Sequence, residues 1–335
     1  ALSFTFSDSF WFNAVEAEVY AMATFIMALL FWLGFKWEED IDNERGNKWL
    51  VLISFIVGLS FGVHFMGLLV IPAIGMIYFF KKHPNPNFKN FLFANVLSVA
   101  ILLFIFKLLL PSTLALFGYL EVFFVNSIGL PFDSGTIFTA ILLITFFVFF
   151  LSYTRKKNLY NTNTFLLCVM FIFIGFSSWL MIPIRSNANT VINENSPSDA
   201  RALLAYYNLE QYPDTHLFYG PMFSDAYAGQ DENNPYKDDK PKYERNEKTQ
   251  KYFIVNDWES GKINSNSDHV GLLPRMWSSE NAINYMTYFG VLDFSIKPEY
   301  LSETNFKKLV LEFKQSVANG DIDAEGYHKF LTQYG

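Results

Sequence analysis

Long runs of apolar residues dominate the first half of the chain and constrain its fold more than any other feature. Five such runs, separated by short polar loops, cover residues 14–35, 49–80, 90–110, 134–152 and 164–184. A helix needs about 20 apolar residues to cross a hydrocarbon core roughly 30 Å thick. Each run therefore predicts at least one membrane helix.

The run over residues 49–80 is about ten residues longer than a single membrane crossing requires. Its middle carries helix-weakening residues around a histidine: Gly58, Gly62, His64, Gly67 and Pro72. We predict two short helices that meet at His64. A turn at membrane depth must be sheltered by neighbouring helices, because exposed backbone groups find no water there.

Basic residues give an independent indication of topology. Nine of the eleven Lys and Arg residues among the first 185 occur in three loops, 36–48, 81–89 and 153–163. Cytoplasmic loops carry an excess of Lys and Arg, whereas acidic residues count little. If residues 49–80 form a hairpin, all three loops lie on one side of the membrane. A single long helix would separate them.

The predicted fold is an all-α membrane domain followed by a small α+β soluble region. We expect about six transmembrane helices, including the short pair, at about 14–35, 49–63, 66–80, 90–110, 134–152 and 164–184. Residues 1–185 form the predicted membrane domain, and residues 186–335 form a soluble extracytoplasmic region. The loop over residues 111–133 is expected to lie along the outer interface as an amphipathic segment.

Composition changes after residue 185. The first 185 residues hold 11 Lys/Arg and 10 Asp/Glu, whereas the remaining residues hold 14 and 22. The overall charge of −7 comes from this second part and argues against nucleic acid as a partner. The single cysteine, Cys168, lies in an apolar run, so no intrachain disulfide is possible.

Local patterns predict mixed structure in the second part. A Ser/Asp cap precedes a helix in SDARALLAYYNLEQY, HLFYGPMF and KYFIVNDW have strand character, and residues 225–249 are expected to form an exposed loop. Residues 301–335 predict two helices joined at Asn319-Gly320. The apolar stripe expected on the first of them consists of Phe306, Leu309, Phe313 and Val317.

Several stretches resemble one bacterial family of multi-spanning membrane proteins. They are SDSFWFNAVEAEVYAM, GLSFGVHFMGLLVIPA, the block from MIPIRS to YGPMF, and LPRMWSS. The family was formerly a domain of unknown function and is related to the protein O-mannosyltransferases of the C-type glycosyltransferase (GT-C) superfamily. The resemblance covers most of the chain, and the block from MIPIRS to YGPMF is its most specific part.

The resemblance implies a sugar transferase of the bacterial inner membrane. Its expected donor is a sugar linked to polyprenyl phosphate, and its expected acceptor is a periplasmic protein or glycan. Members of the family have an earlier membrane helix and a first external loop with an Asp-Cys-Gly-Glu type motif that holds a principal catalytic acid. The sequence contains no such motif. The chain is therefore expected to be an internal section of a longer protein.

Glu16 is the first candidate for the catalytic base. Sugar transfer from a lipid phosphate needs a base for the acceptor hydroxyl and positive charge for the leaving phosphate. Asn13, Glu16 and Tyr20 are spaced i, i+3 and i+7, so one continuous helix would place them on one face. Asn13 and Tyr20 are then candidates for binding substrate. Glu18 points away from that face and is the second catalytic candidate.

Both carboxylates also fit a simpler explanation. Glutamates in a first helical turn are favoured by the helix dipole while they stay solvated. Glu16 could also ligate a metal or the acceptor, or orient an acid from elsewhere. A divalent metal ion therefore stays an open alternative as a cofactor.

Three further residues are candidates for binding the lipid phosphate. His64 stands at the tip of the short helical pair, although a packed histidine bonded to carbonyls fits equally. Arg185 ends the last predicted helix, where a guanidinium could hold a phosphate or satisfy helix carbonyls. Lys107 could bind phosphate or extend to the interface. Tyr219 and Arg275 are supported only by the resemblance.

The leading interpretation is a GT-C membrane glycosyltransferase. The alternative is a non-enzymatic transporter or scaffold whose outer region binds a periplasmic partner. Transporters often contain internal repeats and polar groups near the bilayer midplane. Here no repeat is visible and the ionisable groups gather at one surface, which favours the enzyme. A third possibility is an inactive member of the family.

Overall fold

The computed structural model describes residues 5–16, 19–43, 45–188, 190–210, 212, 216, 218–223, 229–231, 233–239, 241–256, 261–281, 284–285, 297–300, 304–322 and 324–334. Contacts divide the chain into two compact units. Unit 1 comprises Ala1–Gln211 and Glu247–Lys251, and unit 2 comprises Tyr212–Asn246 and Tyr252–Gly335. The membrane boundary expected near residue 185 is a different boundary and stays a prediction.

Unit 1 is helical. Its helices are α1 (Asp8–Val15), α2 (Tyr20–Asp40), α3 (Asn47–Ser60), α4 (Val70–Lys82), α5 (Phe88–Leu103), α6 (Leu110–Val122), α7 (Ser134–Lys156), α8 (Tyr160–Phe176), α9 (Met181–Ser186) and α10 (Ala200–Tyr207). Among the described residues, five helical stretches are long and apolar enough to cross a membrane: Tyr20–Asp40, Phe65–Lys82, Phe88–Ile128, Ser134–Lys156 and Tyr160–Ser186. The shorter apolar helix α3 stands beside them. These lengths and compositions are those of a multi-pass membrane protein.

The predicted helix over residues 14–35 is not continuous. Helix α1 ends at Val15, and Glu16 has extended backbone angles, φ −73° and ψ 151°. Helix α2 begins only at Tyr20 and runs to Asp40. The spacing argument for one shared face required a single helix, so it does not hold across this break.

The hairpin expected at residues 49–80 is present. Helix α3 ends at Ser60, the backbone of His64 is extended, and a 3-10 segment, Phe65–Leu69, leads into α4. Trp49 at the start of α3 donates to Asp40 at the end of α2. At the end of α4, Lys81 pairs with Glu38 and Lys82 pairs with Asp42. The start of α3 and the end of α4 therefore lie at the same end of the bundle.

A second contact adds the third basic loop to this end. Asn47, at the start of α3, donates from its side-chain amide to the Thr164 hydroxyl at 3.3 Å. Asn163 next to it bonds back to Thr154 near the end of α7. The loops 36–48, 81–89 and 153–163 thus lie together, and we call this the basic end. The opposite end is called the distal end.

Helices α3 and α8 run side by side at close range because two glycines face the opposing backbones. A Cβ atom added to Gly58 would lie 2.1 Å from the carbonyl oxygen of Ile172. One added to Gly175 would lie 2.2 Å from the carbonyl oxygen of Phe55. Small residues permit this approach, which in a membrane supplies much of the packing energy between helices.

The helix that begins at Phe88 does not end near residue 110 as the sequence suggested. It continues through a π-helical segment, Phe104–Leu109, into α6, and a second π-helical segment, Phe123–Ile128, follows. Gly129, with φ 84°, ends this long helix in the left-handed conformation that glycine adopts without strain. Pro111 is accommodated within this continuous helix because the π-helical segment before it already shifts the backbone hydrogen bonds, with the N–H of Leu110 bonding to Ile105.

Unit 2 is small and contains short strands. They are β1 (Tyr219–Pro221), β2 (Tyr236–Lys237), β3 (Lys242–Asn246), β4 (Lys251–Asn256), β5 (Lys262–Ile263) and β6 (Val270–Leu272). They pair as β1 with β6, β2 with β5 and β3 with β4. The strand predicted in KYFIVNDW is confirmed as β4, whereas β2 and β3 occupy part of the stretch expected to be a loop.

Two helices follow these strands, α11 (Thr304–Ala318) and α12 (Ala324–Tyr334), as the sequence predicted. Gly320, with φ 77°, lies in the turn between them. Phe306 and Val317 are buried, and Phe313 stacks on Phe330 with ring centroids 3.7 Å apart. Leu309, the remaining member of the predicted apolar stripe, is 42% exposed.

Candidate functional site

An aromatic cluster fills the distal end of unit 1. It consists of Phe61, Phe65, Phe106, Phe176, Trp179, Tyr206 and Tyr207. Phe61 follows α3, and its carbonyl accepts a hydrogen bond from Trp179 Nε1 at 2.5 Å. The cluster therefore joins α3, the long helix and the segment after α8, and three predicted site residues, Tyr20, His64 and Lys107, adjoin it.

The structure brings Tyr20 and His64 together. Their rings are 5.7 Å apart between centroids, and His64 in turn lies 6.5 Å from Phe65. His64 Nδ1 accepts from the backbone N–H of Met66 at 3.2 Å. In neutral His64 the proton therefore resides on Nε2, assigned from this hydrogen bond. An Nε2–H is the kind of donor that an anionic oxygen can use.

Lys107 lies at the edge of the same cluster. Its side chain is exposed, and Nζ stands 4.9 Å from the centroid of the Phe106 ring. Phe106 in turn contacts Phe65 with ring centroids 5.2 Å apart. A cation over an aromatic face keeps its charge available to a second, negatively charged partner. Lys107 is thus connected through Phe65 to His64.

Tyr207 holds the π-helical segment at this place. The N–H of Leu110 bonds to Ile105 rather than to Phe106, and Pro111 has no N–H to offer. The carbonyl of Phe106 is therefore left for another donor, and the Tyr207 hydroxyl supplies it at 2.7 Å. Burial raises the pKa of the Tyr207 phenol above its ordinary value, so the phenol keeps its proton.

Arg185 is exposed in the last turn of α9, six residues after Trp179. Among the residues that the structure describes, none pairs with its guanidinium. The chain that follows is tied back to α9, because the amide of Asn193 bonds to both the hydroxyl and the carbonyl of Ser186. An exposed guanidinium on an anchored segment is available to a ligand.

The two candidate catalytic carboxylates are placed differently from the expectation. Glu16 is exposed and closes α1, and its N–H bonds to the carbonyl of Phe12 at 3.1 Å. Glu18 lies outside the described residues. The backbone of Asn13 belongs to α1, whereas its side chain is not described. Only Tyr20 of this group is therefore seen in contact with another candidate.

Glu121 is a buried carboxylate that the sequence analysis did not single out. It is 3% exposed and accepts hydrogen bonds from the N–H of Asp133 at 2.6 Å and from the N–H of Thr136 at 2.8 Å. The Thr136 hydroxyl adds a third bond at 3.0 Å. These donors open α7, so the carboxylate on α6 satisfies and electrostatically favours the start of another helix. Glu121 positions α6 against α7.

Arg201 adds a second anchor to α6. Its Nε donates to the carbonyl of Gly118 at 3.2 Å, one turn before Glu121. The helix that carries it, α10, starts with Asp199 accepting from the N–H groups of Arg201 and Ala202, which confirms the predicted cap. The sequence did carry one signal for the contact between α6 and α7, because Glu121 lies in an apolar segment shortly before a turn that contains Gly, Pro and Asp.

Two further residues that the resemblance suggested, and the alternative of a metal ion, gain no support from contacts in the described structure. Tyr219 and Arg275 are exposed and belong to unit 2, where Tyr219 pairs with Leu272 across the β1–β6 ladder. Among the described ranges, no three His, Cys, Asp or Glu side chains gather as a metal ion would require.

The class that this fold defines is a multi-pass membrane protein, in which Tyr20, His64 and Lys107 adjoin the aromatic cluster at the distal end. Two family models match parts of the chain. Residues 1–87 match the model described as the protein O-mannosyl-transferase TMEM260 N-terminal domain. Residues 213–307 match a family of unknown function, DUF8416. No curated protein and no solved structure matches the chain significantly.

Proposed function

We propose that the protein is a GT-C membrane glycosyltransferase that moves a sugar from a polyprenyl-phosphate-linked donor to a periplasmic protein or glycan. The similarity of residues 1–87 to a protein O-mannosyl-transferase N-terminal domain carries this proposal. That stretch contains Glu16, Tyr20 and His64, and the latter two are in contact. Similarity at this level supports a membrane mannosyltransferase-like protein.

The distal end offers the charges that such a reaction needs. The leaving group is a lipid phosphate, which positively charged groups and N–H donors stabilise. Lys107 and Arg185 are exposed cations, and His64 offers an N–H. We assign these three residues to the donor phosphate and Tyr20 to the substrate beside His64. Glu16 or Glu18 is the proposed base for the acceptor hydroxyl, and Asn13 on α1 is assigned to substrate binding.

The proposed orientation places the basic end in the cytoplasm and the distal end in the periplasm of a bacterial inner membrane. Its support is the joint location of three Lys/Arg-rich loops at one end. Reporters fused after Lys157 should read cytoplasm, and reporters fused after Ser186 should read periplasm. A cytoplasmic reading at both positions would contradict the orientation and the outer site with it.

The sharpest test separates donor binding from chemistry. Arg185→Ala should weaken binding of mannosyl polyprenyl phosphate about tenfold to a hundredfold, because a charge-assisted contact to phosphate is lost. Glu16→Gln keeps the shape of the side chain but not its basicity. Turnover should fall about a hundredfold or more while donor binding stays nearly intact.

Matched controls use the basic end. Arg155→Ala removes an exposed arginine there, and Glu39→Gln removes an exposed carboxylate paired with Lys36. Both controls should leave binding and turnover unchanged in full-length protein in nanodiscs. If Arg185→Ala binds donor like Arg155→Ala, the phosphate assignment is wrong. If Glu16→Gln retained full transfer activity, Glu16 would not be the base, and another residue would have to accept the proton.

A further inference from the structure

An apolar cavity of about 170 Å³ lies inside unit 1, away from the distal cluster. Its wall includes Trp37 of α2, Ile53 and Val57 of α3, and Gly75 of α4. Apolar cavities of roughly 150 Å³ stay dry and take up ligands of benzene size. The space therefore suits a hydrocarbon segment of about six carbons.

One of the lining residues, Trp37, carries a buried polar atom without a partner among the described residues. Trp37 is 9% exposed, and among the residues that the structure describes none accepts a hydrogen bond from its indole Nε1. The ring is held in place by stacking on Tyr78, with centroids 5.3 Å apart. The two wall serines, Ser54 and Ser98, donate to carbonyls of their own helices. A buried unpaired donor costs free energy, so an acceptor from a ligand would be favoured here.

The cavity is reachable from the bilayer. Ile101 of α5 contributes to the wall and is also 46% exposed within a candidate membrane span. Trp37 lies three residues before the end of α2 at the basic end, about 4.5 Å along the helix axis. Ile101 lies about 20 Å along α5 from Phe88, so the opening beside it faces the interior of the hydrocarbon layer. Trp37 lies close to the membrane surface, where the ester carbonyls of glycerolipids reside.

We propose that this cavity binds an acyl chain of a bilayer glycerolipid. The ester carbonyl accepts from Trp37 Nε1 near the basic end, the first methylenes lie against Ile53 and Val57, and the rest of the chain leaves the cavity beside Ile101. A polyprenyl chain would fill the apolar space but has no carbonyl to offer the indole. The observations therefore favour an ester lipid, and the inference is independent of the proposed transferase activity.

Lipid binding to the unmodified protein gives the first test. Native mass spectrometry should compare the protein with phosphatidylcholine and with its ether analogue. The ester lipid should be retained about two- to tenfold more strongly, which is the ratio of affinities that one neutral hydrogen bond produces. Trp37→Phe should abolish that preference. Equal retention of ester and ether lipids by the unmodified protein would overturn the proposal. So would a structure of the lipid-loaded protein in which Trp37 donates to a water molecule instead of a lipid carbonyl.

Fluorescence quenching gives the second test. Phosphatidylcholine brominated near the ester end should quench the Trp37 component, obtained by subtracting the spectrum of Trp37→Phe. Ile53→Phe should fill the cavity and relieve the quenching, whereas Ile144→Phe on the exposed face of α7 should not. Added polyprenyl phosphate should leave the quenching unchanged. Displacement by polyprenyl phosphate would assign the cavity to an isoprenoid chain and refute the proposal.

Discussion

Replacing Glu121 tests whether one buried carboxylate joins α6 to α7. The carboxylate accepts from the N–H groups of Asp133 and Thr136 at 2.6 and 2.8 Å. Each hydrogen bond to a charged group contributes about 1.5–3 kcal/mol. Glu121→Leu removes both of these and the bond from the Thr136 hydroxyl, so the free energy of unfolding should fall by at least about 3–6 kcal/mol. Losses above 4–5 kcal/mol are exceptional for one substitution.

Glu121→Gln refines the test. The amide keeps one acceptor oxygen, but its NH₂ group would face one of the two backbone donors. The loss should therefore be about half as large, roughly 1.5–3 kcal/mol. Chemical denaturation in detergent micelles would measure it. Hydrogen exchange at the amides of Asp133 and Thr136 should accelerate in both variants, because the start of α7 loses its acceptor.

Glu39→Gln is the matched control. This carboxylate is exposed and pairs with Lys36 within the same helix. Surface pairs contribute little to stability, so the control should change unfolding far less than either Glu121 variant. If Glu121→Gln were as stable as Glu39→Gln, and the two amides exchanged at their normal rates, the reasoning about the α6–α7 contact would be refuted.

Two further substitutions probe the packing of unit 1. Tyr207→Phe leaves the Phe106 carbonyl without its donor and should cost about 1–3 kcal/mol in denaturation experiments. The folded-state pKa of Tyr207 is raised, so its contribution to the free energy of unfolding is complete below a pH of about 10 and is lost as the pH rises further. The stabilities of the unmodified protein and Tyr207→Phe should therefore converge in alkali. A stability difference that stays constant with pH would contradict this. Gly58→Ala should lower the thermal unfolding midpoint, because its Cβ would lie 2.1 Å from the carbonyl oxygen of Ile172. Gly34→Ala should lower it far less, because its Cβ would meet only the side chains of Ile74 and Ile77, at 3.2 and 3.6 Å.

The helical membrane part was accessible from sequence because its signals are local. Apolar length and loop charge indicated the spans and the turn at His64. Asp199 indicated the start of α10, because aspartate is a common helix cap. Gly320 indicated the turn between α11 and α12. These features depend on neighbours within a few residues, where residue type largely determines the backbone conformation.

The remainder depends on contacts distant in sequence. The break after Val15 was hidden, because an apolar stretch with two glutamates fits one helix or two equally well. Tyr207 and Phe106 are about a hundred residues apart, and their hydrogen bond explains how the long helix passes Pro111. Nor does the sequence show that Glu121 is buried, since the burial arises only when α7 returns against α6.

The length of the helix Phe88–Ile128 has a geometric consequence. From Phe88 to Glu121 a straight helix would extend about 50 Å. From Thr136 to Lys156 it extends about 30 Å. Phe88 and Lys156 both adjoin the basic end, yet Glu121 bonds to Thr136. If both helices are straight, Phe88 and Lys156 must therefore lie at least roughly 20 Å apart. A straight long helix would thus spread the basic end of the bundle, and it separates the exposed Lys107 from the buried Glu121 by about 20 Å along its axis.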